Sequence, residues 1–127
     1  MARRVTMRGF GELESKIMDT LWSSGRSATV REVLEELRGS REIAYTTVMT
    51  VMDILHRKGF LQRERDGRAY RYFPTSSREQ YVAELMRDAL ASSTDYAAAL
   101  MHFTEQLSED ESVALRTALR RLARRKP

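Results

Sequence analysis

Residues 44–74 read AYTTVMTVMDILHRKGFLQRERDGRAYRYFP, and the pattern of this stretch decides the fold. Val48, Val51, Met52 and Leu55 recur at the i, i+3, i+4, i+7 spacing of a half-buried helix. Thr46, Thr47, Thr50, Asp53 and Arg57 fall on its other side. Lys58-Gly59 stops the helix with a last-turn cation and a C-terminal glycine. Phe60–Arg65 and Arg68–Phe73 then flank Asp66-Gly67, a dipeptide that favours a two-residue type I′ turn and hence a β-hairpin. A polar-faced helix followed at once by a basic hairpin is what a winged helix-turn-helix presents to DNA.

The flanking sequence completes that unit. Glu12 to Ser23 is expected to form a first helix, with Leu13, Ile17, Met18, Leu21 and Trp22 as its buried stripe and Ser24-Gly25 as its end. Thr29-x-x-Glu32 is a capping box that opens a second helix, whose Val30, Val33, Leu34 and Leu37 face inward until Gly39-Ser40. Three helices and a hairpin make a tri-helical core with a wing. The second and third helices form the helix-turn-helix pair, and the third enters the major groove.

Beyond the hairpin, Pro74-Thr75-Ser76-Ser77 is the expected domain boundary. Ser76-x-x-Glu79 and Ser77-x-x-Gln80 both fit a capping box for a fourth helix, with Tyr81, Leu85 and Ala89 beside Val82, Met86 and Leu90 as its apolar positions. A fifth helix carries Tyr96, Leu100, Met101, Phe103 and Leu107. The last starts at the capping box Ser108-x-x-Glu111 and lines Leu115, Leu119 and Leu122 on one face. Acidic residues at its start and Arg120, Arg121, Arg124, Arg125 and Lys126 at its end suit the helix dipole. The expected organisation is a flexible basic arm over 1–10, a DNA-binding unit over 11–74 and a helical dimerisation region over 75–127. Some fifty residues with three broad apolar faces are too few for a core of their own, so they need cover. A second copy of the chain is the favoured cover, since a symmetric dimer matches a palindromic DNA site.

Composition agrees and excludes other classes. The chain has 127 residues, 42% of them hydrophobic, and no apolar run approaches the ~20 residues of a membrane span. The opening MARRVTMRGF lacks the apolar centre of a signal peptide, so a cytoplasmic protein is expected. Zero cysteines exclude disulfides, thiolate metal sites and a thiol nucleophile. The net charge of +4 lies in residues 1–80, and Arg57, Lys58, Arg63, Arg65, Arg68 and Arg71 cluster around only Glu64 and Asp66. Such a cluster suits a polyanion, although arginines on a hairpin also serve simply to keep an edge strand soluble.

No enzyme, cofactor or metal is expected. His56 and His102 lack a second histidine at i+3 or i+4, and there is no glycine-rich phosphate loop or catalytic-triad context. Glu35-Glu36 and Glu109-Asp110-Glu111 look like helix surface and helix start, not acid–base pairs. The three threonines have a second explanation, since Thr46 or Thr47 could cap the helix. Capping leaves Thr50, one turn on, unexplained.

The chain resembles the BlaI/MecI penicillinase-repressor family of winged-helix dimers. GELESKIMDTLW is similar to the family's opening helix, YTTVMTVMDILHRKGFLQRERDGRAYRYFP to its recognition helix and wing, and AALMHFTEQLSEDE to its C-terminal region. The resemblance implies recognition of a TACA/TGTA-type dyad, dimerisation through the C-terminal helices, control of antibiotic-resistance genes, and inactivation by a membrane-bound sensor protease. Two positions depart from the family pattern. Ile54 stands where most members carry arginine, and His102-Phe103 stands where members have the Asn-Phe cleavage bond. The cysteine-rich copper-responsive branch is excluded by the lack of cysteine.

The expectation is therefore a mainly α, homodimeric repressor on double-stranded DNA. Thr46, Thr47, Met49 and Thr50 read bases, and Arg57, Arg63, Arg65, Arg68 and Arg71 grip phosphates. Tyr81, Leu85, Leu100, Phe103, Leu115, Leu119 and Leu122 dimerise. The competing classes are a winged-helix protein-interaction module and a ligand-responsive regulator of other genes. Arg3, Arg4 and Arg8 could add backbone contacts from the arm, though a disordered tail is the simpler expectation.

Overall fold

Helix α1 (Glu12–Ser24), α2 (Val30–Arg38) and α3 (Tyr45–Arg57) each bury one stripe, at the positions their periodicity marks. Ile17, Met18 and Leu21 of α1 meet Val33 and Leu34 of α2 and Val48, Met52 and Leu55 of α3, and each of these is essentially inaccessible to solvent. The Thr29 capping box forms as expected: Glu32 N–H donates to Thr29 Oγ1 at 3.1 Å, and Thr29 N–H donates to Glu32 Oε1 at 3.0 Å. In this computed structural model the described residues are 10–39 and 42–125, so Arg3, Arg4, Arg8, Ser40 and Lys126 lie outside them.

Gly59, at φ +90°, turns the chain out of α3 and into strand β1 (Leu61–Asp66), which pairs antiparallel with β2 (Ala69–Pro74). The register runs from Leu61 opposite Pro74 to Asp66 opposite Ala69. The two-residue turn is therefore Gly67-Arg68, one position later than the sequence suggested. Only Gly67 has a positive φ, +65°, whereas a type I′ turn needs two such residues; glycine first is the mark of type II′. Ala28 adds a one-residue third rung, with Ala28 N–H donating to Tyr72 O at 2.9 Å and Tyr72 N–H to Ala28 O at 2.8 Å. That rung fastens the wing to the loop before α2, and nothing in the local sequence announced it.

Helix α4 (Arg78–Ala91) starts on a capping box made by Ser77 and Gln80, with bonds of 2.8 and 3.0 Å. Ser76 does a different job. Its carbonyl accepts from Trp22 Nε1 at 2.9 Å, while Arg78 pairs with Asp19 and donates to Ser23 Oγ at 3.1 Å. The start of α4 is thus bound to α1. The chain divides into two compact units, one up to Leu85 and one from Met86, so the first unit reaches further than the proline boundary at 74.

Two expectations change here. Tyr81, expected on a dimer face, is only 5% exposed and stacks on Phe10 with ring centres 4.6 Å apart; Phe60 and Trp22 complete the cluster. Burial, with Glu14 and Glu84 adding to it, pushes the Tyr81 hydroxyl above the usual tyrosine value. Leu85 packs against the same core, and Phe10, placed in the arm by sequence, is buried within it. An apolar stripe reports that a face is covered, not what covers it.

The second unit contains the rest of α4, α5 (Tyr96–Glu105) and α6 (Glu109–Arg125). Asp95 caps α5 through Ala98 N–H at 3.1 Å, and Ser108 and Glu111 form the expected capping box of α6. None of the described residues from Met86 onward is buried.

Candidate nucleic-acid interface

The side of α3 opposite its buried stripe is open. Thr46, Thr47, Met49 and Thr50 are all exposed, Met49 by 42%. The helix begins at Tyr45 after Ala44, which makes no side-chain cap. No threonine acts as the cap, and no hydrogen bond within the described residues engages their hydroxyls. Three hydroxyls and a thioether standing free on one helix surface match what base edges, thymine methyls and phosphates require. Ile54, in the position where the resemblance calls for arginine, is half-buried on α3.

The wing arginines divide by strand alternation, because successive side chains point to opposite faces. Arg63 and Arg65 share a face with Tyr70 and Tyr72. The Tyr70 ring lies 4.1 Å from the Arg63 guanidinium and 5.3 Å from that of Arg65. Arg63 also donates to Asp53 Oδ1 at 3.3 Å and to the Tyr72 hydroxyl at 3.4 Å, and the latter bond raises its pKa above the ordinary arginine value. Arg71, on the opposite face, donates to Ser27 Oγ at 3.1 Å, to the Ser27 carbonyl at 3.0 Å and to Glu32 at 3.1 Å, with Asp66 at 3.7 Å.

These contacts correct the phosphate assignments. Arg71 and Arg63 are spent within the molecule, fastening the wing to the α1–α2 loop and to α3. Arg57 is exposed but pairs with Asp53 at 2.9 Å. Lys58 pairs with Glu14 at 3.3 Å. Among the described residues, Arg65 and Arg68 alone of the five have no acidic or hydrogen-bonding partner. Sequence reasoning missed Asp53 as the shared partner of Arg57 and Arg63, though its i, i+4 relation to Arg57 was a readable signal.

The sequence profile of the penicillinase repressor family matches residues 10–121. The chain belongs to that family. As a member it is a transcriptional repressor built on a winged-helix DNA-binding unit. It is 49% identical over 115 residues to the transcriptional regulator BlaI of Mycobacterium tuberculosis, covering 88% of this chain and 83% of that one. It is 23% identical over 110 residues to the methicillin resistance regulatory protein MecI of Mammaliicoccus sciuri, covering 84% and 89%. The solution structure of the DNA-binding domain of the repressor BlaI superposes with a TM-score of 0.52 at 25% identity, covering 60% of this chain and 92% of that domain.

The residues expected at a repressor's dimer face are exposed in the second unit: Leu100 by 47%, Phe103 by 43%, Leu119 by 57% and Leu122 by 55%, with Leu115 half-buried. His102 and Phe103 lie inside α5, and His102 Nδ1 is 3.7 Å from Glu105 Oε1. Among the described residues there is no acidic or histidine cluster able to hold a metal ion, and no helix long and apolar enough to cross a membrane.

Proposed function

We propose that this chain is a homodimeric repressor that binds a palindromic TACA/TGTA-like operator and controls β-lactam resistance or related genes from the cytoplasm. The observation that carries this reading is the free surface of Thr46, Thr47, Met49 and Thr50 beside the wing. In the proposed complex these four read bases, while Arg65 and Arg68 contact phosphates. The family membership and the named relatives support the gene class.

Dimerisation is supported by the second unit's lack of buried residues. Leu115, Leu119 and Leu122 repeat at i, i+4, i+7 on α6, and Leu100 and Phe103 add apolar surface on α5. A second copy would bury these faces and link two half-sites. Release would follow from losing that link after cleavage at His102-Phe103 by a sensor protease. The bond lies within a helix, so α5 would have to open locally before a protease could hold it extended.

Full-length protein titrated into duplexes carrying the complete dyad or a single half-site tests the core of this reading. The dyad should bind about 10²-fold more tightly, because the second contact is intramolecular. Equal affinity for the two duplexes removes the symmetric operator. For release, cells exposed to a β-lactam should accumulate a fragment ending at His102, and induction with an intact chain removes proteolysis as the switch.

A further inference from the structure

Thr46, Thr50, Asp53 and Arg57 fall along one stripe of α3, since residues three, four and seven apart share a helix face. Asp53 is out of place there. A carboxylate on a surface that approaches a polyanion is repelled unless cations surround it. Asp53 has two such cations, and they come from different elements. Its Oδ2 accepts from Arg57 Nε at 3.0 Å on its own helix, and its Oδ1 accepts from Arg63 Nη1 at 3.3 Å on strand β1.

The two arginines are held differently. The Arg63 side chain is 27% exposed and is also gripped by Tyr70 and Tyr72. Its contact joins wing to recognition helix. The Arg57 side chain is 69% exposed, and Asp53 is its one partner among the described residues. Arg57 therefore has the reach and exposure of a phosphate ligand, and a carboxylate restrains it.

We infer that Asp53 holds Arg57 away from the phosphate backbone and so keeps sequence-independent binding weak. This rests on the DNA-binding reading above. Phosphate contacts strengthen binding to every duplex alike, so a stronger backbone grip raises the affinity for non-operator DNA and for the operator together. An exposed ion pair such as Arg57–Asp53 is weak enough for a phosphate to compete with it. Removing the carboxylate charge thus acts in one direction, both freeing Arg57 and deleting a repulsion.

The test uses the full chain, wild type and Asp53→Asn, titrated into an operator duplex and a scrambled duplex between about 50 and 200 mM salt. Asparagine keeps the shape and an oxygen for Arg63 but carries no charge. Asp53→Asn should bind the scrambled duplex about five-fold more tightly at low salt. Its salt slope should steepen by up to ~0.9, which widens the affinity ratio across that salt range by about 3.5-fold. The operator should gain alike, so the preference for it stays the same. Asp53→Asn/Arg57→Gln should return to the wild-type slope, which a purely structural role for Asp53 would not produce. Thermal melting confirms that the variants are folded, and Asp53→Ala supplies the same slope comparison if the asparagine variant is not. An unchanged slope, or a loss confined to the operator as expected if Asp53 accepts from a cytosine amino group, overturns the inference while leaving the DNA reading intact. A wild-type chain that binds neither duplex overturns both.

Discussion

The two units of this chain solve the burial problem in opposite ways. Up to Leu85, helices, wing and an aromatic cluster close around Ile17, Leu34, Met52 and Leu55. From Met86 onward, three helical segments carry leucine, methionine and phenylalanine side chains that stay exposed. Both units have well-formed capping boxes, so local helix signals do not separate them. Burial does. The first unit has a buried core of its own, and the second leaves its apolar face exposed.

The largest effect should come from the first core. Leu55 is fully buried, and Leu55→Ala should lower the unfolding free energy of that unit by about 2–5 kcal/mol. Urea denaturation followed by the fluorescence of Trp22, the one tryptophan, reports it directly. A loss below ~1 kcal/mol would mean that the core is looser than its burial implies.

Next is the exposed face of α6. Leu119→Asp places a charge where a second copy would have to pack, and should convert a sedimenting dimer into a monomer while leaving the Trp22-reported unfolding of the first unit nearly unchanged. Affinity for a complete dyad should drop by about 10²-fold. If the variant remains dimeric, the interface lies elsewhere and the comparison of the two units loses its meaning.

The sequence revealed the helices because their apolar spacing and caps are local properties. Val48, Met52 and Leu55, the Thr29–Glu32 box and the stop at Gly59 all lie where periodicity and capping chemistry place them. The turn was off by one because Asp-Gly fits type I′ and Gly-first fits type II′, and the surrounding residues do not choose between them. What stayed hidden depends on distant neighbours. Arg71 reads as a free cation until Ser27 and Glu32 arrive from 44 and 39 residues away. Tyr81 reads as a dimer residue until Phe10 is found stacked on it. The threonine surface was legible because a helix face needs no tertiary information, whereas the sorting of the arginines into engaged and free needed the wing's alternation and the Ala28–Tyr72 rung.

If α3 reads DNA through its free hydroxyls while the wing supplies backbone grip, the two contributions respond differently to sequence and to salt. Fluorescence anisotropy of Thr50→Ala and Arg68→Ala against a dyad duplex and a scrambled one, at several salt concentrations, tests both halves together. Thr50→Ala should weaken the dyad complex by roughly 1 kcal/mol, about five-fold, and scarcely affect scrambled DNA. Arg68→Ala should weaken both equally and reduce the salt slope by ~0.9. Salt-independent binding, or no binding to any duplex, would mean that α3 and the wing are not a DNA-binding surface.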